Sequence, residues 1–239
     1  MKTKTRNLIT AITITGITLS IAGPAMAVTS GVIRPTVDKG VCLTQIARSL
    51  DSLTGVEADL DESLTVTSDH RAILDTIISS AESGLLSAQT RVLASDDPTV
   101  LLDVCTTLGS DYRVDEVIVP QIEITIAADR ISATELRVID PTVSYLRAVA
   151  EAEAEGVDMG EAVALHDLAM TEFMEAFDLI HGVADTALTV TPASYDAGPG
   201  ADVLVAAQDS VAASTVHMRA GWHWYEAAQA AFDEALASI

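Results

Sequence analysis

His166, Met170, Met174 and His181 fall along one stretch, and the four-residue steps between the first three place them on neighbouring turns of a helix. An imidazole beside two thioethers is a donor set suited to copper. His166 and Met170 also occupy seam positions of a heptad, where methionine is ordinary packing. Packing is therefore the first expectation for this stripe and a metal site the second. Near the C-terminus, His217, Trp222, His223 and Trp224 lie in the densest aromatic patch of the chain, next to Tyr225. Two tryptophans two residues apart point to different faces of a helix, so at least one lies off any seam. Such a side chain either covers neighbouring helices or forms an exposed binding spot, and again packing comes first. Together the two groups define one functional possibility, a metal- or haem-binding carrier.

The two cysteines, Cys42 and Cys105, follow neither a Cys-x-x-Cys nor a zinc-ligand spacing. In an exported chain two thiols are expected to pair. Closing a loop of about 64 residues stabilises by roughly 4 kcal/mol on the loop-entropy account. Glu151, Glu153 and Glu155 alternate, which on a helix spreads them around a solvated surface rather than gathering them on a cation. No Gly-x-Ser-x-Gly, His-Glu-x-x-His or phosphate-cradling glycine loop occurs, so no catalytic residue is assigned and no cofactor is required.

Residues 1–27 read as a secretory signal. Lys2, Lys4 and Arg6 precede an apolar stretch over 8–21, Gly23-Pro24 breaks it, and Ala25-Met26-Ala27 supplies a cleavage site. The apolar stretch is short for a membrane span and carries several threonines, and no span is expected in the mature chain. Removing these residues takes three positive charges and no acid, so the net charge goes from −22 to −25. Lys39 and nine arginines then face 35 acids. Such a surface repels nucleic acid and anionic lipid. The expected location is extracellular or cell-wall associated.

The elements that would position these residues are helices. From Leu204, steps of seven reach Val211, Met218, Tyr225, Phe232 and Ile239, all large; the alternate seam holds Ala207, Ser214, Gly221, Ala228 and Ala235, all small. Alternating steps of three and four mark a coiled-coil seam, and its small side admits a partner helix closely. A second heptad from Asp158 carries Val163, His166, Met170, Phe173, Phe177, Ile180, Ala184 and Ala187 and stops at Thr191-Pro192. The pair reads as an antiparallel hairpin over 158–239, with Phe173 and Phe177 against the small seam.

Ahead of it, 28–37 reads as a flexible lead and 38–157 as a helical region. One helix is expected from Val41 to Leu60, and another over 69–94 with Ile73, Ile77, Leu85, Leu86, Val92 and Leu93 inward. A third is capped by Asp97 with Pro98 at its first position and ends near Gly109. Residues 112–119 are helical or extended packing. From Pro120 a helix kinked at Pro141 is expected to reach Gly156, with Ile122, Ile126, Ile131, Leu136, Ile139, Val143, Leu146 and Val149 inward. Only nine residues are Phe, Trp or Tyr, which suits a thin bundle better than a thick core. The fold class is all-α, an elongated helical bundle ending in an antiparallel coiled-coil hairpin.

The run from Gly109 through Tyr112-Arg-Val, Pro120 and Ile126-Ala-Ala-Asp129 to Ile131 resembles a segment of secreted, long-helical actinobacterial proteins of unknown function. The likeness extends more loosely over 44–238, including the turn from Leu188 through Thr191-Pro192 to Tyr195. It implies an exported helical protein and supplies no active site; the cell-wall sorting tails of some relatives are not expected here. The reading is a non-catalytic exported protein with a structural or interaction role at the cell envelope or outside it. Its partner is expected to be an envelope or extracellular protein, and the sequence specifies neither that partner nor the oligomeric state.

Overall fold

A computed structural model describes residues 38–238, and the expected signal (1–27) and lead (28–37) lie outside the described residues. Among those described, the secondary structure is helical throughout, without a strand: α1 (Lys39–Glu62), α2 (Ser68–Ala94), α3 (Pro98–Tyr112), a π-helical turn (Val114–Ile118), α4 (Val119–Ser132), α5 (Glu135–Ala154), α6 (Gly160–Ile180), α7 (Val183–Leu188), α8 (Pro192–Asp196) and α9 (Pro199–Ala237). The fold is all-α.

Local chemistry sets the helix starts. The Asp38 carboxylate accepts from the Gly40 N–H at 2.7 Å, the Thr67 hydroxyl from His70 N–H at 3.2 Å, and Asp97 from Thr99 N–H at 2.9 Å. Each satisfies a donor that a first helical turn leaves unpaired. At the far end of α2, the Lys39 ammonium donates to the carbonyls of Leu93 and Ser95, a cation placed where the helix dipole favours one.

The α1–α2–α3 unit closes on a core of Cys42, Ile46, Leu53, Leu60, Leu74, Leu85, Val92 and Val104, with the Cys42–Cys105 disulfide joining α1 to α3 at a Cα separation of 5.5 Å. The buried phase of α2 is Leu74, Ile78, Ala81, Leu85, Ala88 and Val92. Ile73, Leu86 and Leu93, expected inward, face solvent. The chosen phase is the longer heptad and carries two alanines, which allow α1 and α3 to come close.

Residues 112–119 resolve as follows. Helix α3 runs past Gly109 to Tyr112, Arg113 takes a left-handed conformation (φ 41°), and the wider π turn buries Val114, Val117 and Ile118 together. The Arg113 guanidinium pairs with Asp196 and lies 5.1 Å above the Tyr195 ring, fastening α8 to this turn. The helix expected from Pro120 to Gly156 is two. It breaks at Ala133-Thr134, where the Thr134 hydroxyl donates to the Ile131 carbonyl at 2.6 Å, and Pro141 sits inside α5 at an exposed position. The helix expected over 158–190 also breaks, at His181-Gly182, because Gly182 adopts φ 69°. Gln121, buried, donates to the carbonyls of Ala187 and Val190 at 2.8 Å each and so caps the short α7 from α4.

Helix α9, 39 residues and about 58 Å long at the usual rise, packs along α6. The Ser214 hydroxyl donates to the Ala176 carbonyl at 2.8 Å, and Gly221 lies against Phe173. The Tyr145 hydroxyl reaches the carbonyls of both Ala162 and Ala228. Residue numbers fall on α9 as they rise on α6, so the two helices are antiparallel. Ala207, Ser214, Gly221 and Ala228 are buried and Ala235 is partly so, as the small seam requires. A Cβ at Gly221 would stand 2.6 Å from the Phe173 ring; only glycine admits the ring there.

Candidate functional site

Helix α5 carries two apolar phases. Val138, Tyr145, Val149 and Ala152 point into the protein. Leu136, Ile139, Val143 and Leu146, at steps of three, four and three, form a second stripe exposed at 72, 43, 53 and 44 % respectively. These four are expected inward from the sequence; Val149, expected with them, is buried. The reason for the reversal is Tyr145: its ring packs with Phe232 and Tyr225 and its hydroxyl finds two backbone acceptors, and no residue of the other phase offers comparable burial. The outer stripe keeps the spacing of a helix seam. Beside it the exposed Glu135 and Asp140 are matched by Arg137 and Arg147, and the acidic excess lies beyond it, at Glu151, Glu153 and Glu155 toward the end of α5.

The sequence-predicted metal stripe is spread over different depths. His166 is 2 % exposed, its ring stacked on Tyr145 at 4.9 Å between centroids, and neither of its nitrogens has a hydrogen-bond partner. Asp167, a nearby charge, stands 3.9 Å off and is itself exposed. Burial pushes the His166 pKa down against the opposing pull of Asp167, favouring the neutral ring. Met170 is partly buried and accepts from the Thr142 hydroxyl at 3.3 Å. Met174 is half exposed, and His181 lines a shallow open cleft with Gly182, Thr186, Val203 and Ser210.

The C-terminal group also divides. Trp222 meets Phe173 edge-on at 5.1 Å and covers the Gly221 contact while keeping one side in solvent. His223 is exposed beside Trp224, with ring centroids 5.2 Å apart. His217 turns instead to α6, where its Nδ1 lies 2.8 Å from Glu172 Oε2 and 3.1 Å from Glu175 Oε2.

A third histidine site escaped the sequence reading. His70 sits between Asp129, at 2.9 Å from Nδ1, and Asp185, at 3.1 Å from Nε2. Asp129 is buried and also accepts from the Thr67 N–H at 2.8 Å. Burial lowers the His70 pKa, but the hydrogen bonds and charges of the two aspartates outweigh it, and the net shift is upward. The three residues tie α2, α4 and α7 together. Their separations along the chain, 59 and 115 residues, leave no local signal. Glu172 and Glu175 could have been found: a Glu-x-x-Glu step on one face of a helix opposite a histidine on its partner.

Comparison with known proteins gives no match to a family model, a curated protein or a solved structure.

Proposed function

We propose that this is a non-catalytic, exported helical protein that works by receiving a helix of another envelope or extracellular protein on the outer face of α5. The observation that carries the reading is the second apolar phase of α5, four large side chains at seam spacing that no helix among the described residues covers. A stripe of that kind marks an interaction surface, and its spacing suits a helix laid along it. The acidic end of α5 and the chain's net charge of −22 favour an amphipathic partner with basic flanks. A signal-like N-terminus and the Cys42–Cys105 disulfide support export. Among the described residues, no helix is long and apolar enough to cross a membrane.

Fluorescence anisotropy with a labelled peptide of about three heptads, leucine at its seam and lysine on its flanks, tests this. The expected result is saturable binding, weakened at least about tenfold by Leu136→Asp with Val143→Asp and by exchanging the peptide lysines for glutamate. Equal binding to the parent and the double variant would mean attraction to the acidic surface alone and would overturn the reading. So would a dimer of the protein itself that the double variant abolishes, since the occupant would then be a second copy.

A further inference from the structure

The α6–α9 contact brings together a second arrangement, independent of the α5 stripe. Glu172 and Glu175, one turn apart on α6, aim one carboxylate oxygen each at the same ring nitrogen of His217 on α9, and the three donor atoms lie within 4.8 Å of one another. The backbones that carry them are fixed. Ser214 and Gly221, one turn either side of His217, are the two places where α9 is held hardest against α6, by the hydrogen bond to Ala176 and the contact with Phe173. Ala176 and Phe173 in turn adjoin Glu175 and Glu172. Donor atoms mounted on packed helices hold their positions better than atoms on loops.

The charges of the three groups do not balance. Two carboxylates face one imidazole, so even the protonated ring leaves one negative charge over, in a chain whose net charge is −22. The side chains of Glu172 and His217 are each 30 % exposed and that of Glu175 is 56 % exposed, which leaves a side open to water. One nitrogen and two oxygens with an open position match the ligand count and the His and carboxylate donor types of a three-ligand zinc site. Donor atoms around tetrahedral zinc stand about 3.3 Å apart, given bonds of about 2.0–2.1 Å. The observed 2.8 and 3.1 Å from the ring nitrogen lie within about 0.5 Å of that spacing, and the two carboxylate oxygens lie within 4.8 Å of each other. An imidazole suits a borderline transition metal better than calcium or magnesium, which select all-oxygen sites.

We infer that Glu172, Glu175 and His217 form a binding site for a divalent transition metal of the zinc class, clamping α6 to α9. Of the sequence-predicted metal and aromatic residues it uses only His217. Isothermal titration of Zn2+ into the purified, untagged protein should show one site. Glu172→Gln and His217→Gln should each weaken it at least about tenfold, while His223→Gln leaves it unchanged. Zinc should also raise the melting temperature of the parent and not of the two variants. Should either variant fail to fold, the ring-proton resonances of His217 in the parent provide the reading, and they should shift on stoichiometric zinc. Equal affinity in all variants would assign the zinc to the general acidic surface. No binding would leave His217 as an ion-pair partner only. Either result overturns the site.

Discussion

Helices α9 and α5 each present a stripe at alternating steps of three and four, on α9 with large and small residues in turn, and the two stripes meet opposite fates. On α9 the stripe has a small-residue counterpart, Ala207, Ser214, Gly221 and Ala228, and α6 lies in it so closely that Phe173 occupies the space a side chain at Gly221 would take. On α5 the stripe of Leu136, Ile139, Val143 and Leu146 faces water. Seam spacing therefore says that a helix belongs there, not that the same chain supplies it. The closed seam is architecture, and its residues should answer to stability. The open one should answer to binding and be almost silent in stability.

The largest effect is expected in the closed seam. Gly221→Leu drives a branched side chain into a ring that is fully buried and should destabilise by about 2–3 kcal/mol, net of a helix-propensity gain of up to about 1 kcal/mol. Chemical denaturation measures it, and an increase in stability would erase the contrast between the two stripes. Gln229→Leu, on the exposed side of the same helix, should stay within about 0.5 kcal/mol of the parent.

A smaller, pH-dependent effect separates the partly buried His70 from the buried His166. His70 has its folded pKa raised by Asp129 and Asp185 against the cost of burial. Its contribution is whole below the unfolded value of about 6.5 and fades as pH rises through the folded one. His166 has its pKa lowered by burial, so its contribution is present above the unfolded value and lost as pH falls through the folded one. Melting curves of His70→Asn should thus show a larger deficit at pH 5.5 than at pH 8.5. His166→Phe should gain on the parent as pH falls. A deficit for His70→Asn that does not change with pH would remove the charged role given to the Asp129–His70–Asp185 bridge.

Least of all should stability respond to the open seam. Leu136→Asp and Val143→Asp, singly, should each change it by no more than about 0.5 kcal/mol, because both side chains are more than half exposed. A loss of several kcal/mol from either would place that stripe in the core after all.

How much of this was legible follows from what each feature needs. The cap at Asp97 and the small seam of α9 are local or strictly periodic, and the disulfide needs only that the chain holds two cysteines, so the residues alone announced them. Helix α5 was legible as a helix but not in its orientation. Periodicity gives two apolar phases equal standing, and only the acceptors that Tyr145 finds on Ala162 and Ala228 decide between them. The break at Gly182 was hidden because the heptad runs through it unbroken. The His70 bridge joins three segments far apart in the chain and has no signature in any of them. Of the site residues, His217 was singled out for its aromatic neighbours, whereas its contacts are the carboxylates of the facing helix.

The difference between the two seams is tested most directly by amide hydrogen exchange, read by mass spectrometry, with and without the basic heptad peptide. The account predicts that protection is gained over 135–154, the residues of α5, and that 160–180 and 199–237 exchange as they do in the free protein. Protection gained along α9, or none along α5 at saturating peptide, would contradict it.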